Sequence, residues 1–168
     1  TTSNYGDAGL QVAMTNNMGA PITQLRIEYT GEQWRDYQGT SSSGPEKLRV
    51  YISDLDDGSL TNFLYLPELD FFAPRNDGLN AALDGNDAAN RETISATIDL
   101  AAIGYTGGAI APGESFYITW HDWNDNNTND HALAVDDVRI ENVPEPSTIV
   151  MAVIGLFGLL AFARRRNS

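Results

Sequence analysis

The sequence predicts an all-β fold, an antiparallel β-sandwich or jelly roll of about seven strands, followed by a single C-terminal transmembrane helix. Three observations carry that prediction. Apolar and polar residues alternate at period two through residues 1–143. The stretches between the alternating runs are dense in Gly, Asn, Asp and Pro, whose φ preferences and local side-chain bonds build turns. Before residue 144 no stretch carries an apolar stripe at helical spacing. Two packed antiparallel sheets bury strands of this kind.

The strands follow in order. Leu10, Val12 and Met14 alternate with polar or small neighbours, and Leu25, Ile27 and Tyr29 do so with Gln24, Arg26 and Glu28. Leu48, Val50 and Ile52 interleave with Lys47, Arg49 and Tyr51. The run from Leu60 to Leu66 comes next, then Ile94, Ala96 and Ile98, then Phe116, Ile118 and Trp120. The last strand runs from His131 to Ile140 and slips in phase: Leu133 and Val135 share one face, Val138 and Ile140 the other. A bulge near Asp136-Asp137 would bring both pairs to one core and re-aim one of those carboxylates. The turns between are "GTSSSGPE", "DLDDGS", "APRNDGLNAALDGNDAANR", "GYTGGAIAPGE" and "NDNNTND".

Length and charge divide the chain in two. The 168 residues suit one domain over 1–143 and a tail over 144–168. Residues 1–143 carry 22 Asp and Glu against seven Lys and Arg, whereas the tail carries three Arg against Glu145. So acidic a body repels phosphate backbones, which excludes nucleic acid as a partner and favours divalent cations or cationic surfaces. There is no cysteine, hence no thiol catalysis, disulfide or thiolate metal site. The opening "TTSNYGDAGL" has neither an initiator Met nor the pattern of a signal peptide, and the expectation is a fragment with residues missing before Thr1.

The tail reads "VPEPSTIVMAVIGLFGLLAFARRRNS". Sixteen residues, from Thr148 to Ala163, carry no charge or strongly polar side chain. As a helix over about 147–163 they would span roughly 24 Å, a little short of the ~30 Å hydrocarbon core, a gap that snorkelling arginines close. A buried core helix would fit the length but not the place. The run is terminal, follows a Pro-rich break, and ends in Arg164, Arg165 and Arg166, which favour the cytoplasmic side and put the body outside. Pro144 and Pro146 keep Glu145 extended and out of helix or sheet, which suits a protease-accessible handle at the membrane face.

This layout resembles the PEP-CTERM sorting-signal family: Pro144, Glu145 and Pro146, then the apolar helix, then the basic cluster. The resemblance implies export across the inner membrane of a Gram-negative bacterium and recognition by an exosortase, a membrane enzyme that cuts near the Pro-Glu-Pro. It further implies delivery to the cell surface or extracellular matrix, often alongside exopolysaccharide production. The three motif residues are then substrate, not catalyst. "YTGEQWR", "LDGNDAANR" and "WHDWNDNNTNDHALAVDD" resemble a β-sandwich ectodomain often joined to this tail, over most of residues 9–141, and imply no activity.

Within the body the densest run of chemistry is residues 121–137. Asp122, Asn124, Asn126, Thr128 and Asp130 place an oxygen at every second position, as a Ca²⁺ loop does. The same spacing is ordinary Asx-turn chemistry, and the glycine and terminal Glu of an EF-hand are absent. Asp136 or Asp137 would join a cation if the bulge turned it inward. His121 and His131 flank the run and read as surface residues at strand ends. No nucleophile elbow supports a triad of either histidine with Ser115. Trp120 alternates with Phe116 and Ile118 and reads as core, whereas Trp34 and Trp123 are free to be exposed and to stack on sugar rings. The sequence therefore predicts a non-enzymatic surface β-sandwich, with a matrix-polysaccharide-binding module as the first alternative and an extracellular hydrolase as the second. The exposure of Trp34 and Trp123 on one face would separate the first two.

Overall fold

A computed structural model describes residues 8–37, 46–54, 63–122 and 131–144. Among them are nine strands: β1 (Ala8–Thr15), β2 (Gln24–Asp36), β3 (Lys47–Ser53), β4 (Leu64–Tyr65), β5 (Phe71–Phe72), β6 (Ala81–Ala82), β7 (Arg91–Asp99), β8 (Ser115–Asp122) and β9 (Ala132–Asn142). They build two antiparallel sheets. In the five-stranded sheet β8 lies between β1 and β3, and β4 and β5 share the far edge of β3 on either side of the 3₁₀ turn Pro67–Leu69. In the four-stranded sheet β2 is central, with β9 on one edge and β7 then β6 along the other.

The alternation predicted from sequence puts one face of each sheet inside. Leu25, Ile27 and Tyr29 of β2 meet Val50 and Ile52 of β3 and Ile118 and Trp120 of β8 in one buried cluster. Tyr29 and Trp120 touch across the sandwich edge-on, ring centroids 5.5 Å apart, a geometry that the aromatic quadrupole favours. The Tyr29 hydroxyl donates to the Leu69 carbonyl at 2.6 Å, so this buried polar group is satisfied. Gly31, also on the inner face of β2, leaves a slot that the Phe71 ring fills from the opposite sheet.

All seven predicted strands are present, the fourth as the short β4 within the Leu60–Leu66 run, of which residues 60–62 lie outside the described residues. β5 and β6 were not foreseen, because two residues cannot display a period. The β9 bulge is there: Arg139 pairs with Glu28 but Asp136 with Thr30, three steps against two, and Asp137 adopts φ 52°. It returns Leu133, Val135 and Ile140 to one core. Val138 does not follow, however, and stays 40% exposed at the bulge itself. Nor is either carboxylate turned inward: Asp136 and Asp137 are exposed, and Asp137 Oδ2 lies 3.3 Å from the Arg91 guanidinium.

Among the described residues no helix is long and apolar enough to cross a membrane. The helix predicted over 147–163, with Arg164, Arg165 and Arg166, lies outside them.

Candidate functional site

The sorting segment leaves the body at a defined point. β9 stays zipped to β2 as far as Asn142, opposite Leu25, and the Val143 N–H then donates to the Gln24 carbonyl at 3.0 Å. Pro144 follows, exposed, and having no N–H it cannot extend the ladder. Sheet pairing thus runs up to the residue before the Pro-Glu-Pro. Glu145 and Pro146 lie outside the described residues.

At the opposite end of the sandwich, β8 and β9 bracket the acidic run. Asp122 ends β8, half-buried, opposite Ala8 and Leu48. Asn124, Asn126, Thr128, Asp130 and Trp123 lie outside the described residues, and so does the arrangement of the predicted Ca²⁺ loop. Among the described residues no group of three or more His, Asp or Glu is placed to hold a metal ion.

Neither histidine is a surface residue. His121 is buried on the outer face of the five-stranded sheet, its ring edge-on to Tyr51 with centroids 6.5 Å apart. His131 is buried because its ring fills polar partners that would otherwise be orphaned. Nδ1 accepts from the Tyr37 N–H at 3.0 Å, and Nε2 pairs with Asn76 Oδ1 at 3.1 Å. The His131 N–H donates to the Glu46 carboxylate. Asp36 Oδ1 stands 3.6 Å from Nδ1, while Oδ2 takes the Leu79 N–H at 3.0 Å. Ser115 sits at the far end of β8 from His121, its hydroxyl bonded to Thr15 at 3.0 Å.

Trp34 is the extra residue of a second bulge, where Gln33 pairs with Leu133 but Arg35 with Ala132. Its indole N–H donates to Glu32 Oε2 at 3.0 Å, and its ring rests on Gly85, where a Cβ would clash. It is 40% exposed, with the Glu32 bond and the Gly85 contact both at its indole nitrogen edge. Trp120, predicted as core, is buried.

A different group of aromatics occupies the outer face of the five-stranded sheet. Tyr65 and Phe72 are 39% and 47% exposed, and Tyr51 lies 5.3 Å from Tyr65 and 6.4 Å from Phe63 by ring centroids. Lys47 sets its ammonium over Phe72 at 5.0 Å and Tyr65 at 5.7 Å. The buried Asp70 carboxylate anchors the group, accepting from both the Lys47 ammonium and the Tyr65 hydroxyl. The alternation of Lys47, Arg49 and Tyr51 signals an outward face. Nothing in "LYLPELDFF" announces that two-residue strands bring Tyr65 and Phe72 beside it.

This anchoring has a pH signature. Burial, and then the Asp70 charge, raise the Tyr29 phenol above its ordinary value of about 10. Burial and the Asp70 hydrogen bond raise Tyr65, and burial with Glu114 raises Tyr105. Burial pulls the Lys47 ammonium down, but Asp70 and Tyr65 outweigh it and hold it above its usual range. All four groups hold their protons more tightly when folded. The stability this gives is full below about pH 10 and is lost as pH rises through the folded-state values. Urea midpoints should therefore fall steeply above pH 10, and less steeply in Tyr29→Phe; a flat profile to pH 11 would contradict this.

Comparison with known families places the PEP-CTERM protein-sorting motif at residues 142–167. The match begins at Asn142, the last paired residue of β9, and spans the Pro-Glu-Pro, the apolar run and the three arginines. That motif marks the chain for export, transit through the membrane and exosortase-dependent sorting to the surface. No curated protein matches the chain significantly.

Proposed function

We propose that this is a non-enzymatic surface protein whose sandwich is delivered by its tail, anchored in transit by one helix over 147–163 and released by exosortase cleavage near Pro144–Pro146. The observation that carries the reading is that the sorting motif begins at Asn142, just where the described sheet pairing ends, with the last backbone bond at Val143. Proteases need an extended, unpaired segment, and Pro144, exposed and without an N–H, cannot add to the sheet. The released body, strongly acidic and soluble by charge, belongs at the cell surface or in the matrix around it. Intact-mass analysis of protein collected from the envelope should find a C-terminus within residues 143–147 and no arginine cluster. Mature protein still ending at Ser168 would replace release with permanent anchoring.

A second reading, a carbohydrate-binding module, is favoured by the aromatic face, which gathers several rings, rather than by Trp34, which belongs to the other sheet. Tyr51, Tyr65 and Phe72 present ring faces fixed by the sheet and by Asp70, so little side-chain entropy is lost on stacking a sugar. Affinity electrophoresis in gels cast with neutral and uronate polysaccharides tests it. Retardation by either polymer, lost in Tyr65→Ala and Phe72→Ala but kept in Trp34→Ala, is the expected result. Mobility unaffected by any of the polymers would remove this reading.

A further inference from the structure

The two long edge strands on one side of the sandwich are built differently. β9 borders its sheet with Asp136, Asp137, Arg139 and Glu141 and is bent by its bulge, features that keep an edge from pairing with another chain. β1 has none of these. Its eight residues, AGLQVAMT, contain no charge, no proline and no bulge, and its pairing to β8 is unbroken from Ala8 to Thr15. No other described strand longer than two residues is free of charged side chains. Its outer edge meets no described strand.

The surface beside that edge is apolar. Leu10 is 50% exposed although it pairs with the buried Trp120. Between β1 and β9 two clefts of about 330 Å³ open along the seam. One is lined by Leu10, Trp120, Leu133 and Val135, the other by Met14, Ile22, Phe116 and Ile140. Asp122 alone among the residues lining them is charged.

We infer that β1 is a docking edge for a second copy of this chain, joining two five-stranded sheets through antiparallel β1–β1 pairing about a two-fold axis. The register is self-complementary. Centred on Val12, it sets Leu10 opposite the partner's Met14, so every apolar residue stays on the inner face, as pairs of equal parity require. Charge selects the occupant. A body with 22 acidic side chains against seven basic ones repels its own copies nearly everywhere, and β1 is the long strand where that repulsion is absent. A cationic partner would be drawn to the acidic faces and would gain nothing from an uncharged seam.

The test uses the full-length chain in non-ionic detergent, with two readouts. Sedimentation velocity should show a dimer that tightens as NaCl rises, because salt screens the body charge over a length of about 8 Å at 0.15 M. Leu10→Lys, at a half-exposed site that tolerates the change, should weaken the dimer about tenfold by setting a charged side chain against the partner's Met14 on an otherwise apolar seam, with an unchanged melting temperature. The cysteine-free chain also permits single-cysteine mapping. Disulfide dimers should peak at Val12→Cys and fall away toward Ala8→Cys and Thr15→Cys, since each step from the centre moves the two copies about two residues apart. Val138→Cys on β9 should give few. A monomer at all salt concentrations, a dimer that Leu10→Lys leaves intact, or cross-linking strongest at Val138→Cys would each overturn the inference.

Discussion

Gly31→Val should leave no folded sandwich, and Gly31→Ala should cost about 3 kcal/mol, at the upper end for an overfilled core. The cause lies across the interior. A Cβ on Gly31 would lie closer to the Phe71 ring carbons than real Cβ atoms approach. Phe71 cannot retreat, because β5 is paired to β3 through Leu48 and the ring is fully buried. Domains of this size have roughly 5–15 kcal/mol in hand, so the alanine variant should survive with a lowered urea midpoint. Phe71→Ala alone should lose about 3–5 kcal/mol through the cavity it leaves. The double variant should lose clearly less than the sum of the two, since each change relieves the other. Strict additivity, or a Gly31→Ala midpoint equal to that of the parent, would show that the slot is not tight.

Leu156→Arg should cost about 3 kcal/mol of membrane insertion, more than a hundredfold in the inserted-to-uninserted ratio. Position 156 lies near the middle of the uncharged run from Thr148 to Ala163, about 12 Å from either end of a helix and beyond easy snorkelling. Ala163→Arg, beside the existing arginines, should cost far less because its charge reaches the interface. A glycosylation-mapped insertion assay of the tail reads both. Equal insertion of the two variants would mean that residues 148–163 do not span the bilayer.

The inner half of this fold was legible and the outer half was not. Leu25, Ile27, Tyr29, Val50, Ile52, Ile118 and Trp120 announce themselves by alternation, because solvent acts on every second residue of a half-buried strand. The β9 bulge could be read from a phase slip for the same reason. What failed depended on side chains meeting across the chain. His121 and His131 looked like strand-end surface groups, but hydrogen bonds to Tyr37 and Asn76 bury the second, and Tyr51 packs on the first. Trp34 is exposed as its place in the sequence allowed, but nothing around it announces that Gly85, far along the sequence, makes room for its ring. Asp70 gave no signal at all, since a lone acid in a short turn has no pattern until Lys47 and Tyr65 are folded against it. The sorting tail was legible because its parts are contiguous: two prolines, an apolar run and a basic stop need no tertiary contact to be recognised.

The last backbone bond of the body, from Val143 to Gln24, also sets a clearance. Only Pro144, Glu145, Pro146 and Ser147 separate it from the apolar run, and four fully extended residues reach at most about 14 Å. If the run enters the bilayer as proposed, the sandwich would hang on a tether shorter than the width of a typical domain. An enzyme cutting there would then have to work from within the membrane plane or beneath an already folded load, because a bulky soluble protease would have no room to enter. On the same reading the end of the sandwich where β9 finishes and β2 begins would face the lipid, and the end carrying His131 would lie away from it.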